Sequence, residues 1–356
     1  MKKLLIAIVV LALIILGVFL GYKHMISAPS KKTLVLEFNV EKGSTYSSIA
    51  ENLESEGLIR SALAYKIYLK LNPVEENLEY GRYYLETSSD VKGIIETLKK
   101  GSDTLADTLT VTFVEGKNMR YIMSVIEKNF NYTEKDILKK LSDTDYLDRL
   151  IEKYWFITKD IKNKNIYYSL EGYLYPDTYE YYENASIEDI FGKMLNNMED
   201  KLDPYMEEID KSKYSFHQIL TLASIVEQEA GNAKDRKGVS GVFYNRLKDK
   251  WSLGSDVTTY YQEKIDNYTR DLTIAELNKC GSYNTRNGCL VGKLPVGPIC
   301  NPGFESIIAA IEPKKHNYYY FVADKNGKTY FNRTDAEHTS TVARLKREGL
   351  WIEYED

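Results

Sequence analysis

The residues whose type and setting best suit chemistry are Glu227 and Glu229, which close the otherwise mostly apolar run 215–231, S-F-H-Q-I-L-T-L-A-S-I-V-E-Q-E-A-G. A carboxyl at the end of such a run sits in poor solvent. If the run is a helix, the negative end of its dipole also lies close by. Both effects disfavour the anion, so either group is expected to keep its proton toward neutral pH, as a general acid must. The ordinary alternative is a pair of solvated helix-end residues.

The element that must position them is legible from local chemistry. Ser215 followed three residues later by Gln218 fits a capping box, Tyr214 and Ile219 can staple across it, and Gly231 is the expected stop. At about 100° per residue, Ala223, Leu220 and Phe216 share the face of Glu227, whereas Glu229 lies roughly 200° away beside Leu222 and Ile225. The two carboxyls therefore cannot act as one pair. Because the helix is apolar on most sides, the wheel does not choose between them.

Composition narrows the chemistry. With 356 residues and 43% hydrophobic content the chain can bury more than one core. A formal charge of -5 without a basic stripe excludes a nucleic-acid partner. Thirty tyrosines could stack on sugar faces, although semi-buried packing with the hydroxyl at water is their commoner use. The four histidines, His24, His217, His316 and His338, show no metal-ligand spacing, so neither a metal nor another cofactor is expected. Cys280, Cys289 and Cys300 form no disulfide framework, while a single bridge between Cys280 and Cys289 is possible outside the cytoplasm.

Along the chain, residues 1–3 read as a cytoplasmic tail and the apolar stretch 4–22 as an uncleaved transmembrane signal anchor, a single pass that leaves the remainder outside the plasma membrane. Residues 33–40 alternate like a strand, a turn follows at Gly43, and Ile49 and Leu53 begin a helix pattern. The arrangement returns 73 residues later around Gly116, with Ile122 and Ile126 in the same places. Strand 80–86 and helix 89–100 complete a small module over 33–104. Residues 105–166 read as a second strand-helix unit with a helical linker, charged and solvated over 134–164. Helices are expected at 187–206, 216–230 and 234–248, a hairpin at 318–331, and a last helix after the capping box of Thr334 and Glu337. The fold class is α+β, with the larger unit at 167–356.

Polar residues recur in segments that are otherwise apolar or turn-like: L-E-G-Y-L-Y-P-D from Leu170 to Asp177, I-V-E-Q-E ending at Glu229, Y-N-R-L around Asn245 and Arg246, S-D-V-T-T-Y from Ser255 to Tyr260, Y-N-T at Tyr283 and Asn284, and L-P-V-G-P-I-C-N-P-G through Asn301. Together, in this order, they resemble the endolytic murein transglycosylases of the MltG, or YceG-like, family, over nearly the whole chain. The resemblance implies a small LysM-like module at 33–104 and a catalytic α+β YceG-like domain at 167–356. It also implies a lyase that cuts nascent peptidoglycan strands between N-acetylmuramic acid and N-acetylglucosamine, leaves 1,6-anhydromuramoyl ends and so terminates glycan elongation in wall assembly. Its partners would be glycan strands, the bacterial membrane and cell-wall synthases.

The resemblance places the catalytic role on Glu227, the first glutamate of the I-V-E-x-E pattern, and leaves Glu229 in support. One acid is enough for such chemistry: it protonates the leaving oxygen and then takes the proton of the muramoyl 6-hydroxyl as that oxygen closes on the anomeric carbon. Hydrolytic glycosidases usually need a second carboxylate. Asn245, Asp256, Thr258, Tyr260, Tyr283, Asn284 and Asn301 are the expected substrate-binding residues, with Arg246, Glu171, Tyr175 and Asp177 as support. The chain departs from the family pattern at Val296, in a longer loop 286–293 carrying Cys289, at Thr329, and at Thr339 after His338, so His338 receives no catalytic role. The competing readings are a hydrolytic muramidase with Asp256 as second carboxylate, and a non-catalytic glycan-binding scaffold.

Overall fold

The computed structural model describes residues 16–74, 77–101, 108–183, 185–286 and 288–351. It divides into two compact units, 1–108 and 109–356, each with its own apolar core.

The first unit runs β1 (Val35–Val40), helices Ala50–Ser55 and Ala62–Leu71, β2 (Gly81–Glu86) and helix Val91–Lys99. The two strands pair antiparallel, with Phe38 opposite Tyr83 and Leu36 opposite Leu85. Alternation along both strands sends Phe38, Val40, Tyr83 and Leu85 inward against Leu53, Tyr65, Ile94 and Leu98. Asp90 caps the last helix by accepting a hydrogen bond from the Gly93 amide at 2.8 Å.

The expected membrane-spanning helix over 4–22 requires correction. Among the described residues no helix is long and apolar enough to cross a membrane. Residues 16–25 are helical. The rest of that expectation, over 4–15, lies outside the described residues.

In the second unit, β3 (Thr108–Thr112) pairs with β4 (Thr178–Tyr182), and β5 (Tyr320–Ala323) pairs antiparallel with β6 (Thr329–Asn332). The segment expected as a solvated linker is folded into the core. Helices Glu134–Leu141 and Thr144–Lys153 bury Ile137, Leu141, Tyr146, Leu147 and Leu150, while their lysines and glutamates keep the outer faces. Charge density gave the wrong impression of solvation because the apolar stripe on each helix is narrow.

The central helix, Phe216–Glu229, is the axis of this unit. Its first turn carries the capping box: the Ser215 side chain accepts from the Gln218 amide, and the Ser215 amide donates to Gln218 Oε1. Residues Phe216, His217 and Ile219 through Val226 are buried. The helix ends at Glu229 because Ala230 turns to an extended conformation (φ -87°, ψ 111°), before the expected stop at Gly231. Helices Arg236–Lys248 and Phe304–Ile311 pack against it. The loop 294–303 runs along it, tied by the Ile299 amide donating to Ser224 Oγ at 3.0 Å and by His217 Nε2 against the Val296 carbonyl at 2.9 Å.

Candidate active site

The last turn of the central helix delivers its two glutamates to different surroundings. Glu227 turns toward Arg236, whose guanidinium donates to its Oε1 at 2.9 Å, and the Gly303 amide donates to its Oε2 at 3.1 Å. Both partners are shielded, with side-chain exposures of 8% for Glu227 and 14% for Arg236. Both carboxylate oxygens are thus held by groups of this chain. Glu115, on the turn after β3, lies against Gly303, where an added Cβ would meet its Oε2 at 2.3 Å. A side chain at 303 would push the Glu115 carboxyl out of this place beside Glu227. Burial, and next the charge of Glu227, push the Glu115 carboxyl above its usual range.

Glu229 opens the other way, onto a cleft of about 700 Å³ shared with Arg246, Ser255, Asp256, Tyr260, Tyr268, Arg286, Tyr320 and His338. Glu227 lines neither this cleft nor the cavity beside it. Burial pushes the Glu229 carboxyl above the usual glutamate range, and the negative charge of Asp256 acts in the same direction. Against them work a hydrogen bond from Ser255 Oγ to its Oε1, at 2.6 Å, and the cations Arg246 and Arg286. A carboxyl on a cleft, with one oxygen fixed by a hydroxyl and its proton held more tightly than in water, is suited to general acid work.

Ser255 is held in place by a knot of buried hydroxyls. Its amide donates to Thr285 Oγ1 at 3.0 Å, Thr258 donates to its carbonyl at 2.7 Å, and the Thr285 amide donates to Thr258 Oγ1 at 3.1 Å. Asn284 beside it is wholly buried and ties three carbonyls, those of Glu276, Leu277 and Lys279. Asn284 and Thr258, expected at the substrate, therefore lie behind Ser255 and spend their polar atoms on the chain itself. Tyr283, likewise expected there, is buried between Tyr167 and Tyr261 with its hydroxyl accepting from the Tyr167 amide.

Asn245 and Arg246 anchor the carboxy-terminal hairpin. Asn245 Nδ2 donates to the carbonyls of His316 and Tyr318, and Arg246 Nε to that of Tyr319 at 2.7 Å. This brings Tyr320 into the cleft, with the Arg246 guanidinium over one part of its ring and His338 stacked at 5.5 Å. Burial holds the His338 pKa below its ordinary value, so the ring is neutral at pH 7. His338 thus belongs to the cleft wall, a placement its motif context did not suggest. Asp256 and Tyr260 line the cleft as expected, Asp256 pairing with Arg286 at 2.9 Å near the solvent.

Glu171, Tyr175, Asp177 and Asn301 lie away from the cleft. Glu171 is the buried hub: its carboxyl accepts from the Met119 amide, Tyr261 Oη and Asn301 Nδ2 at 2.9–3.1 Å, and burial pushes its pKa up to about 7. Asn301 Nδ2 also reaches the Lys117 carbonyl, and its Oδ1 accepts from the Leu174 amide. Gly172, at φ +86°, sits so close to the loop that a Cβ would meet the Pro298 ring at 2.5 Å. Tyr175 is buried, and Asp177 receives the Thr178 amide and Asn197 Nδ2. These residues lock the L-E-G-Y-L-Y-P and N-P-G segments to the foot of the central helix.

Sequence reasoning missed Arg236, Ser255, Tyr268, Arg286 and Tyr320. Ser255 was within reach, since it precedes Asp256 in a motif already singled out. Cys280 and Cys289 form a disulfide on the segment leading to Asn284, and Cys300 is a buried free thiol. Among the described residues no group of His, Cys, Asp and Glu could hold a metal ion.

The model of the YceG-like family matches residues 38–344. The chain is 36% identical over 330 residues to an endolytic murein transglycosylase of Bacillus subtilis (strain 168), covering 92% of this chain and 89% of the relative. It is 31% identical to an endolytic murein transglycosylase of Streptococcus pneumoniae (serotype 2), with 94% of this chain and 64% of that longer protein aligned. The crystal structure of a putative yceG-like protein from Listeria monocytogenes, 32% identical, superposes with a TM-score of 0.60 over 87% of this chain and all of that one.

Proposed function

Because the chain belongs to the YceG-like family, we propose that it is an endolytic murein transglycosylase, a lyase acting on peptidoglycan glycan strands, and that Glu229 is its acid and base. The observation that carries the assignment is the opposite treatment of two neighbouring carboxyls. Glu227 is tied by both oxygens to Arg236 and Gly303, whereas Glu229 has its pKa raised by burial and faces a cleft large enough for a glycan. The role expected for Glu227 thus passes to Glu229, and Glu227 becomes a positioning residue. Its bonds fix the helix end and the 303 loop.

Protonated Glu229 gives its proton to the oxygen between N-acetylmuramic acid and N-acetylglucosamine. The resulting carboxylate, steadied by Ser255 and by the Arg246 charge, then removes the proton of the muramoyl 6-hydroxyl as that oxygen attacks the anomeric carbon. The nucleophile belongs to the substrate, which makes a second carboxylate unnecessary. Tyr260 and Tyr268 are the aromatic platforms for the sugars, while the Tyr320 ring is taken up by Arg246 and His338. The first unit, a strand-helix-helix-strand arrangement with a cavity of about 610 Å³ lined by Gly43, Thr45, Tyr46 and Val74, is a LysM-like glycan holder. The Cys280–Cys289 bridge favours action outside the cytoplasm.

The test is product analysis. Purified protein incubated with uncrosslinked glycan yields internal fragments with 1,6-anhydro ends by mass spectrometry. Glu229→Gln removes them while circular dichroism is unchanged, and Glu227→Gln retains measurable turnover. Reducing ends in place of anhydro ends would overturn the lytic reading, and full activity of Glu229→Gln would return the acid to Glu227.

A further inference from the structure

Beside the Glu229 cleft lies a second cavity of about 710 Å³ that the mechanism leaves unused. The two share a partition made of Gln228, Val257, Tyr260 and Tyr268, so an occupant of one lies next to an occupant of the other. The partition is specially built. Asn267 and Tyr268 both adopt positive φ, 60° and 51°, which side-chain-bearing residues seldom do, and Tyr268 Oη donates to Gln228 Oε1. Gln228 in turn donates to the Gly116 carbonyl at 2.6 Å.

The charges of the second cavity are unevenly satisfied. Arg120 is neutralised by a two-point ion pair with Asp266, Nε to Oδ2 at 2.8 Å and a terminal nitrogen to Oδ1 at 2.6 Å. Asp266 also receives Asn118 Nδ2 at 2.6 Å. Lys117 makes its hydrogen bond to a neutral group, Asn267 Oδ1 at 3.4 Å, and forms no direct ion pair among the described residues, its charge acting on Asp266 only from a distance. A cavity with aromatic walls and an ammonium that no carboxylate of the chain pairs directly fits an extended ligand bearing a carboxylate.

Resting on the reading of the chain as a murein transglycosylase, we propose that this cavity takes the peptide stem of the muramoyl unit, with Lys117 receiving one of its carboxylates. The geometry suits the substrate: the stem branches from the same sugar whose glycosidic bond meets Glu229, so it must leave the cleft sideways within one residue of the scissile oxygen. Lys117 is accordingly a specificity residue for peptide-bearing glycan. Its backbone carbonyl carries the bonds from Asn301, so replacing the side chain leaves those intact.

The experiment compares glycan of one strand length bearing its peptides with the same glycan stripped by an amidase. For the wild-type full chain, kcat/KM is higher on the peptide-bearing strand. Lys117→Ala lowers the ratio of the two values about tenfold, through KM rather than kcat, and Lys117→Arg restores it. Calorimetry on the Glu229→Gln full chain reads the same preference as binding, independently of turnover. Equal kcat/KM and equal affinity for both glycans in the wild-type cleft, or a ratio unmoved by Lys117→Ala, would overturn the proposal. A binding preference without cleavage by the wild type would instead sink the enzymatic reading and leave the peptide site standing.

Discussion

The two flanks of the last turn of the central helix differ by two residues in sequence and by nearly everything in surroundings. On the Glu227 flank the chain supplies its own cation and its own amide, and the carboxylate is consumed in holding Arg236 and Gly303 together. On the Glu229 flank it supplies one hydroxyl and then withdraws, leaving a cleft. A buried charge with a full set of partners is architecture; one left partly unserved in an accessible pocket is available for reaction. The contrast explains how a motif with two glutamates can need only one for chemistry.

The largest effect that can break this comparison is the loss of turnover. Glu229→Gln is expected to lower kcat at least a thousandfold, because in the proposed mechanism proton donation and recapture both pass through that carboxyl. Glu227→Gln is expected to cost about tenfold, through displacement of the helix end. Single-turnover assays on defined glycan measure both. Comparable losses would erase the distinction between the flanks.

Stability should invert the ranking. Glu227→Ala strands the shielded Arg236 guanidinium and is expected to cost about 3 kcal/mol in denaturant unfolding, whereas Glu227→Leu combined with Arg236→Met recovers most of it. Glu229→Gln leaves the Arg246 guanidinium its carbonyl partners on Leu253 and Tyr319 and should stay within about 1 kcal/mol of the wild type. A destabilised Glu229→Gln protein would place that group among the architectural ones.

Glu171 sharpens the comparison from a third position, buried and fully partnered but away from the cleft. Its carboxyl has a folded pKa of about 7 against an ordinary value of 4.5, so the folded state binds the proton more tightly. The stability it contributes is full below pH 4.5 and is lost as pH rises through 7, on the order of 3 kcal/mol. Glu171→Gln removes this titration. The pH slope of unfolding between 4.5 and 7 should therefore flatten in that variant, as measured by urea midpoints.

Much of this was legible in the chain because it is local. The capping box at Ser215, the alternation of β1 and β2 and the six motifs each depend on neighbours a few residues away. The choice between the glutamates was not legible, since it depends on Arg236, Ser255 and Gly303, which no helical period can assign to a face. Asn245, Thr258, Tyr283, Asn284 and Asn301 were read as substrate ligands for the same reason. A polar side chain in a motif looks alike whether it meets a sugar or a backbone carbonyl, and here buried carbonyls and amides use most of them.

The smallest effects are shifts in pH profile, and they test the cleft most directly. A general acid works only while protonated, so kcat/KM should fall as pH rises through the Glu229 pKa, which burial sets above the usual glutamate range. Ser255 stabilises the anion by its hydrogen bond; Ser255→Ala therefore raises that pKa further and moves the alkaline limb to higher pH. Asp256 disfavours the anion by its charge, so Asp256→Asn lowers the pKa and moves the limb the opposite way. Glu227→Gln, on the other flank, should leave the limb where it is. Opposite shifts from two residues of the cleft, with none from the closed flank, would be hard to obtain unless Glu229 carried the proton; a limb that follows Glu227→Gln instead would assign the proton to the closed side.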